Sequence, residues 1–207
     1  MYPALRSGRG AQGGVRFQAM AEQGDAPGQG EDRSISLARA NVLTLAIALP
    51  LVGLMLAAYQ LLSPRHGLAL GGTFGSALAF LALVVVGILV HEGIHGLAWA
   101  YFGSLPLRRI RFGFQASTLT PYAHALDPMP ARAYRQGAVL PALVLGVLPF
   151  AVGTLLGSAG LALYGIIFTF AAGGDLLVVW LIRSVDARAR VLDHPSRAGC
   201  IVLPPSG

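Results

Sequence analysis

Four apolar runs separated by short polar stretches organise most of this chain. Residues 40–62 are apolar over a length that suits one crossing of a hydrocarbon layer, with Pro50 as an expected kink. Residues 67–102 exceed one upright crossing. Gly71, Gly72 and Gly75 are expected to loosen the beginning, leaving a helix over 74–102. Runs at 138–156 and 161–182 predict a helical hairpin closed by the turn-like Gly157-Ser158-Ala159-Gly160. No long internal repeat is visible.

Between the second and third runs, residues 107–115 alternate in part: Ile110, Phe112 and Phe114 are set against Arg109, Arg111 and Gly113. A returning strand over 118–123 would complete a small hairpin. The Pro-rich Asp127-Pro128-Met129-Pro130 then breaks regular structure. Residues 1–34 are rich in Gly, Gln and Arg, lack an apolar period and read as disordered, with no signal-type apolar core. Met20 would serve as an alternative start. Residues 203–207 read as a flexible tail.

Composition sharpens this picture. Charged residues make up 12% of the 207 positions and apolar ones 55%, where a soluble domain carries about 25% charged. The mean hydropathy is +0.64. An ordinary cytosolic enzyme, a disordered regulator and a nucleic-acid module are excluded. The fold class expected is an all-α membrane protein, a bundle of about four transmembrane helices with a single domain over 35–202. The net charge of +6 comes from arginines that flank the apolar runs without forming a stripe, so no nucleic-acid partner follows. All 15 basic residues are arginine, a compositional bias of the kind a GC-rich genome produces. Fourteen of them fall on one side of the four runs, and only Arg65 on the other. The positive-inside rule then places both termini in the cytoplasm of a multi-pass plasma-membrane protein, expected to be bacterial. The single cysteine, Cys200, implies no disulfide.

Inside the second run stands His91-Glu92-Gly93-Ile94-His95, an H-E-x-x-H. On a helix, positions i and i+4 share one face, so both imidazoles can reach one metal ion. Zinc accepts two imidazoles and a carboxylate and keeps a fourth position for water. Glu92 is offset by one residue, where it can take a proton from that water as it attacks a carbonyl. Burying these groups in a span costs several kcal/mol unless they are paired, which makes them functional by default. The competing reading is a satisfied polar cluster that holds helices together.

A third ligand must come from elsewhere. Asp175, in Gly173-Gly174-Asp175, is the other acidic residue inside a run. His95 lies seven residues before Phe102 and Asp175 seven before Ile182, so both sit about 10 Å inside the ends of their helices. Gly87, Ala171 and Ala172 would let the second and fourth helices approach closely. Gly173 and Gly174 would let the backbone bend near the ligand. Alternatively, Asp175 bonds to a hydroxyl on another helix. His124 reads as a solvated loop histidine that could still swing over the site as an oxyanion donor. Asp193-His194-Pro195 reads as a turn or cap, and His66 as interfacial. Cys200 is not expected to ligate.

Through the H-E-x-x-H, the Gly-Gly-Asp stretch and the tail from Asp193 to Cys200, the chain resembles a family of integral membrane proteins named as putative zincin peptidases, a domain of unknown function. It is also similar to site-2-type intramembrane proteases, which carry H-E-x-x-H on one core helix and a ligating aspartate two helices later. The resemblance implies that His91, His95 and Asp175 bind one zinc per chain and that Glu92 is the general base. Two departures stand out. Site-2 proteases commonly place Gly after the ligating Asp, where Leu176 stands here. They also use an asparagine near the site, whereas the only asparagine is Asn41.

The expected function is a zinc metalloendopeptidase in which Glu92 activates zinc-bound water. It would cut a membrane-embedded or membrane-proximal protein or peptide near the cytoplasmic leaflet. The substrate helix would have to unwind first, and the hairpin could offer an edge strand to hold it. The alternative is a non-catalytic membrane scaffold with a structural metal, and a metal-ion transporter is disfavoured by the lack of repeats. Oligomeric state is not legible.

Overall fold

The computed structural model describes residues 30–63, 72–115 and 120–204. Four helices in it are long and apolar enough to cross a membrane: α1 (Leu37–Leu62), α2 (Phe74–Phe102), α3 (Ala131–Leu156) and α4 (Ala159–Leu181). Large apolar side chains such as Leu54, Leu61, Leu78 and Leu89 remain exposed along the first two. Such continuous apolar exposure suits hydrocarbon as the solvent.

Local chemistry sets the helix ends. The Ser36 hydroxyl accepts a hydrogen bond from Arg39 N–H at 3.5 Å, so α1 begins at Leu37, three residues ahead of its expected start. α2 has the expected bounds. α3 begins seven residues earlier than the expected 138. It follows Pro130 and buries Ala131, Ala133, Tyr134, Gly137 and Ala138 on one face. That amphipathic turn is missed by a search for unbroken apolar runs. Residues Ala142–Val147 of α3 are wound as a π-helix. Gly157 takes φ 65°, a left-handed conformation that closes the turn into α4.

α4 is broken at Ala172 into Ala159–Ala171 and Gly173–Leu181. Gly173 lies against Thr44 and Ala48 of α1, so its small size serves a helix contact. The expected face of Gly87, Ala171 and Ala172 is present in part: Gly87 does face α4, and Ala172 is buried. The space beside Gly87 is filled by the rings of Phe168 and Tyr164, and Ala171 is exposed. α2 instead packs closely along the first turns of α3. In the same first turns of α3, the guanidinium of Arg135 donates to the carbonyls of Ile182 and Val185 at 3.0 and 3.1 Å. Both carbonyls lie in the turn that follows α4, where Ile182 O also accepts the Val185 N–H at 3.1 Å.

The protein is mostly helical but not all-α. A four-stranded antiparallel sheet has the order β1-β6-β5-β4, with β1 (Glu31–Ile35), β4 (Met129–Pro130), β5 (Arg190–Asp193) and β6 (Ala198–Val202). Residues 31–34 are therefore strand, where the sequence reads as disordered. Their polar side chains carry no signal, and pairing with β6 (Arg33 opposite Cys200) orders them. The expected hairpin is present as β2 (Ile110–Gln115) and β3 (Thr120–Ala125), with Phe112 opposite Ala123. The returning strand lies two residues later than expected. A core of Trp99, Ile110, Ala125, Met129, Tyr134, Ile182, Val191 and Cys200 joins the ends of α2, α3 and α4 to both sheets. The expectations for residues 1–29, for Arg65, His66 and Gly71 and for residues 205–207 lie outside the described residues.

Candidate metal centre

His91 and His95 sit one helical turn apart on α2 and are both buried. Asp175 enters from the first turn after the break in α4. His91 Nε2 lies 3.1 Å from Asp175 Oδ2, and His95 Nε2 lies 3.3 Å from Asp175 Oδ1. The two Nε2 atoms are 3.1 Å apart. Two basic nitrogens that close are a poor arrangement for stability by themselves. A tetrahedral ion with bonds of about 2.0–2.1 Å keeps its ligand atoms about 3.3 Å apart. The three donors thus fit a zinc-sized ion, and two neutral imidazoles with one carboxylate are the donor set zinc prefers.

The rings are held from behind. His95 Nδ1 donates to the carbonyl of Gly137 on α3 at 2.9 Å, which leaves Nε2 free to face the site. Trp99 comes four residues after His95 on the same helix face, and its ring stacks on the His95 imidazole at 5.2 Å and 20°. The other side of Trp99 stacks on Tyr134 at 5.5 Å, and its indole N–H donates to the Tyr134 carbonyl at 3.2 Å. Gly137 makes this possible, because a Cβ there would stand 2.2 Å from Trp99 Cδ1. Among the described residues, His91 Nδ1 is buried without a hydrogen-bond partner.

Glu92 is half-buried, one residue along the helix from His91, and the backbone N–H of Ala123 lies beside its carboxylate. Hairpin β2–β3 therefore runs along α2 next to the site. The ring of Phe112 fills the space over Gly96, and Ile110 follows it.

His124 does not turn toward the metal ligands. Side chains alternate along a strand, so with Phe112 and its partner Ala123 facing α2, His124 projects from the opposite face. Its Nδ1 lies 3.4 Å from Asp193 Oδ2. Asp193 also accepts the Tyr134 hydroxyl, and Ala125 N–H at 3.0 Å. Burial raises the Asp193 carboxyl above its ordinary range, opposed by His124, Tyr134 and Ala125. Asp193 is thus more than the turn residue its sequence suggests. His194 does serve the turn: its Nδ1 accepts the N–H groups of Ser196 and Arg197 at 3.2 and 3.0 Å. Cys200 is buried in β6, away from the three donors. Sequence reading misses Gly137, Trp99 and Asp193. Of these only Trp99, at i+4 from His95, carried a local signal.

Comparison with known proteins adds one finding. The model of a family described as "Putative zincin peptidase" matches residues 83–190, just over half the chain, and includes His91, His95 and Asp175. No curated protein and no solved structure matched.

Proposed function

The chain belongs to the family described as "Putative zincin peptidase", and from that premise we propose that it is a zinc-dependent integral membrane metallopeptidase. It hydrolyses a peptide bond of a membrane-embedded or membrane-proximal protein at the cytoplasmic side of a multi-pass fold. The observation that carries this reading is the convergence of His91 Nε2, His95 Nε2 and the Asp175 carboxylate within 3.3 Å, with Glu92 next to them.

His91, His95 and Asp175 hold the ion. Bound there, zinc supplies Lewis acidity, lowering the pKa of water toward neutrality and polarising the scissile carbonyl. Glu92 removes one proton from the attacking water as the new C–O bond forms. It returns that proton to the amide nitrogen as the C–N bond breaks, so the carboxylate ends as it began. Gly137 and Trp99 keep the His95 ring in the ligating orientation. The arginine distribution supports a cytoplasmic site, because the H-E-x-x-H lies toward the arginine-rich end of α2. Glu92 also separates this reading from a structural metal site, which needs no base beside its ligands.

Elemental analysis of the detergent-purified chain tests it. About one zinc per chain is expected in the wild type, with loss in Asp175→Ala. Glu92→Gln is expected to keep the metal and the fold while losing cleavage of a quenched-fluorescent peptide library. A well-folded, metal-free wild type would overturn the proposal, as would full cleavage by Glu92→Gln.

A further inference from the structure

A groove of about 350 Å³ lies on the seam between α2 and α3, lined by Phe102 of α2 and by Arg135, Gln136, Val139, Leu140 and Leu143 of α3. The α3 residues follow an i, i+1, i+4, i+5, i+8 pattern, which keeps them on one stripe of the helix. Arg135 stands in the second turn of α3, beside the last residue of α2, at the arginine-rich end of the fold. Leu143 lies about 12 Å further along the axis, toward the middle of the apolar stretch. Polarity thus falls in one direction, from a guanidinium through an amide to aliphatic side chains, and no carboxylate lines the groove. Exposed Arg132 extends the stripe by one turn on the cationic side.

The cation is held in place. Nη1 of Arg135 donates to the carbonyls of Ile182 and Val185 at 3.0 and 3.1 Å, and among the described residues its Nε and Nη2 make no hydrogen bond. An arginine that only snorkels swings its head into water. This one is pinned on one edge and keeps donors for a ligand at the lip of an apolar channel. The molecule that fits is anionic at one end and aliphatic over about the next 12 Å. A second copy meeting this face across a two-fold axis would set guanidinium against guanidinium at the same height. An apolar helix laid in the groove would leave the spare donors facing hydrocarbon.

We infer that this groove binds one anionic phospholipid of the cytoplasmic leaflet, an inference that rests on the membrane-spanning part of the proposed function and not on the metal. The phosphate pairs with Arg135, and one acyl chain lies along Val139, Leu140 and Leu143 against the ring of Phe102. Gln136 precedes Gly137, whose carbonyl orients His95, so the lipid covers the outer side of the seam that carries this contact.

Native mass spectrometry of the full chain in a non-ionic detergent, with equal amounts of dioleoyl phosphatidylglycerol and dioleoyl phosphatidylcholine added, provides the test. One well-placed arginine predicts that phosphatidylglycerol is retained about fivefold over phosphatidylcholine. Arg135→Gln should bring that ratio to about one, and Arg135→Lys, which keeps the charge, should restore most of it. Val139→Trp fills the groove without changing charge and should remove the retained lipid of either kind. Leu155→Trp, at a position 85% exposed at the other end of α3, should change nothing. Equal retention of the two lipids by the wild type would overturn the inference, with no dependence on how a variant folds. So would displacement of phosphatidylglycerol by an equal concentration of inorganic phosphate, the mark of a free-anion site. A lipid-free dimer that Val139→Trp dissociates would assign the face to a second copy and overturn it as well. Failure of the chain to float with phosphatidylglycerol vesicles would overturn the membrane reading and this inference with it, whereas flotation with equal lipid retention would overturn the lipid site alone.

Discussion

Gly137→Ala isolates the support behind His95 without touching any metal donor. The added Cβ would stand 2.2 Å from Trp99 Cδ1 and 2.3 Å from Nε1. An ordinary carbon contact begins at about 3.5 Å, so roughly 1.3 Å of movement is required. Trp99 cannot supply it by turning, because it is 5% exposed and pressed between the rings of His95 and Tyr134. The alternative is retreat of α3 from α2, which carries the Gly137 carbonyl away from His95 Nδ1, now 2.9 Å distant. At about 4 Å that hydrogen bond is gone. Overpacking should cost about 1–3 kcal/mol of stability, and loss of the ring's orienting partner should weaken zinc binding by about 10–100-fold. Competition with a chelator of known affinity measures the second quantity, and thermal unfolding in detergent the first. Gly153→Ala serves as the control: its Cβ would meet the Ala162 backbone at 2.4 Å, at the other end of α3, away from the site. It should lose stability and keep zinc affinity. If Gly137→Ala loses stability yet binds zinc within about twofold of wild type, the Gly137 carbonyl is not what orients His95.

Three further outcomes follow from the same packing. Burial pushes the Cys200 thiol up to about 12, so at pH 8 the folded chain should hold roughly a thousandfold less thiolate than the unfolded one. Maleimide labelling should accordingly be negligible until denaturant is added, and rapid labelling of folded protein would contradict the buried position. Because that pKa is raised on folding, its stabilising effect is complete below about pH 9 and is lost as pH rises from there toward 12, which alkaline unfolding of wild type against Cys200→Ala would reveal. Ser63→Ala removes a buried hydrogen bond of 2.7 Å from the end of α1 to the Thr154 carbonyl of α3; a loss of about 1 kcal/mol is expected, and no change in unfolding would refute the contact.

Much of the architecture was legible because it is written in contiguous residues. An apolar run long enough to cross a bilayer needs no partner to be recognised, and all four such runs became helices. The H-E-x-x-H is a local pattern, and Asp175 could be matched to it by depth because helical rise is constant. The four-stranded sheet was different. β1 is Glu-Asp-Arg-Ser-Ile, a strand only because Ala198–Val202 arrives beside it from the far end of the sequence. The start of α3 was hidden because its first turns bury one face only. Gly87 was read as a point of approach for α4 and does face it, but the room it leaves is taken by the α4 rings of Phe168 and Tyr164, and a small residue gives no hint of whether backbone or side chain will use the space. Asp193 misled in the same way. Its neighbours His194 and Pro195 form the expected turn, while its own carboxylate reaches back to Tyr134 and Ala125, over 59 and 68 residues.

The parts that escaped sequence reading are those that join the helices to the hairpin. Metal donors on α2 and α4 need only helical spacing to meet, and a cluster of His91, His95 and Asp175 could be reached by helices alone. Placing the hairpin against α2 is a harder problem, since a two-stranded hairpin is marginally stable by itself. Here its inner face is packed on Gly96 and the aromatic core, and its outer edge is held by a carboxylate from β5. β5 is in turn fixed between β4 and β6. The short strands thus have a reason to exist in a chain that is otherwise membrane-length helix. They bring Asp193 to the one height at which it can bind Ala125 and Tyr134 together. Through the stacked rings of Tyr134, Trp99 and His95, that same height is referred to the metal donors, so the hairpin and the ion site share one rigid reference.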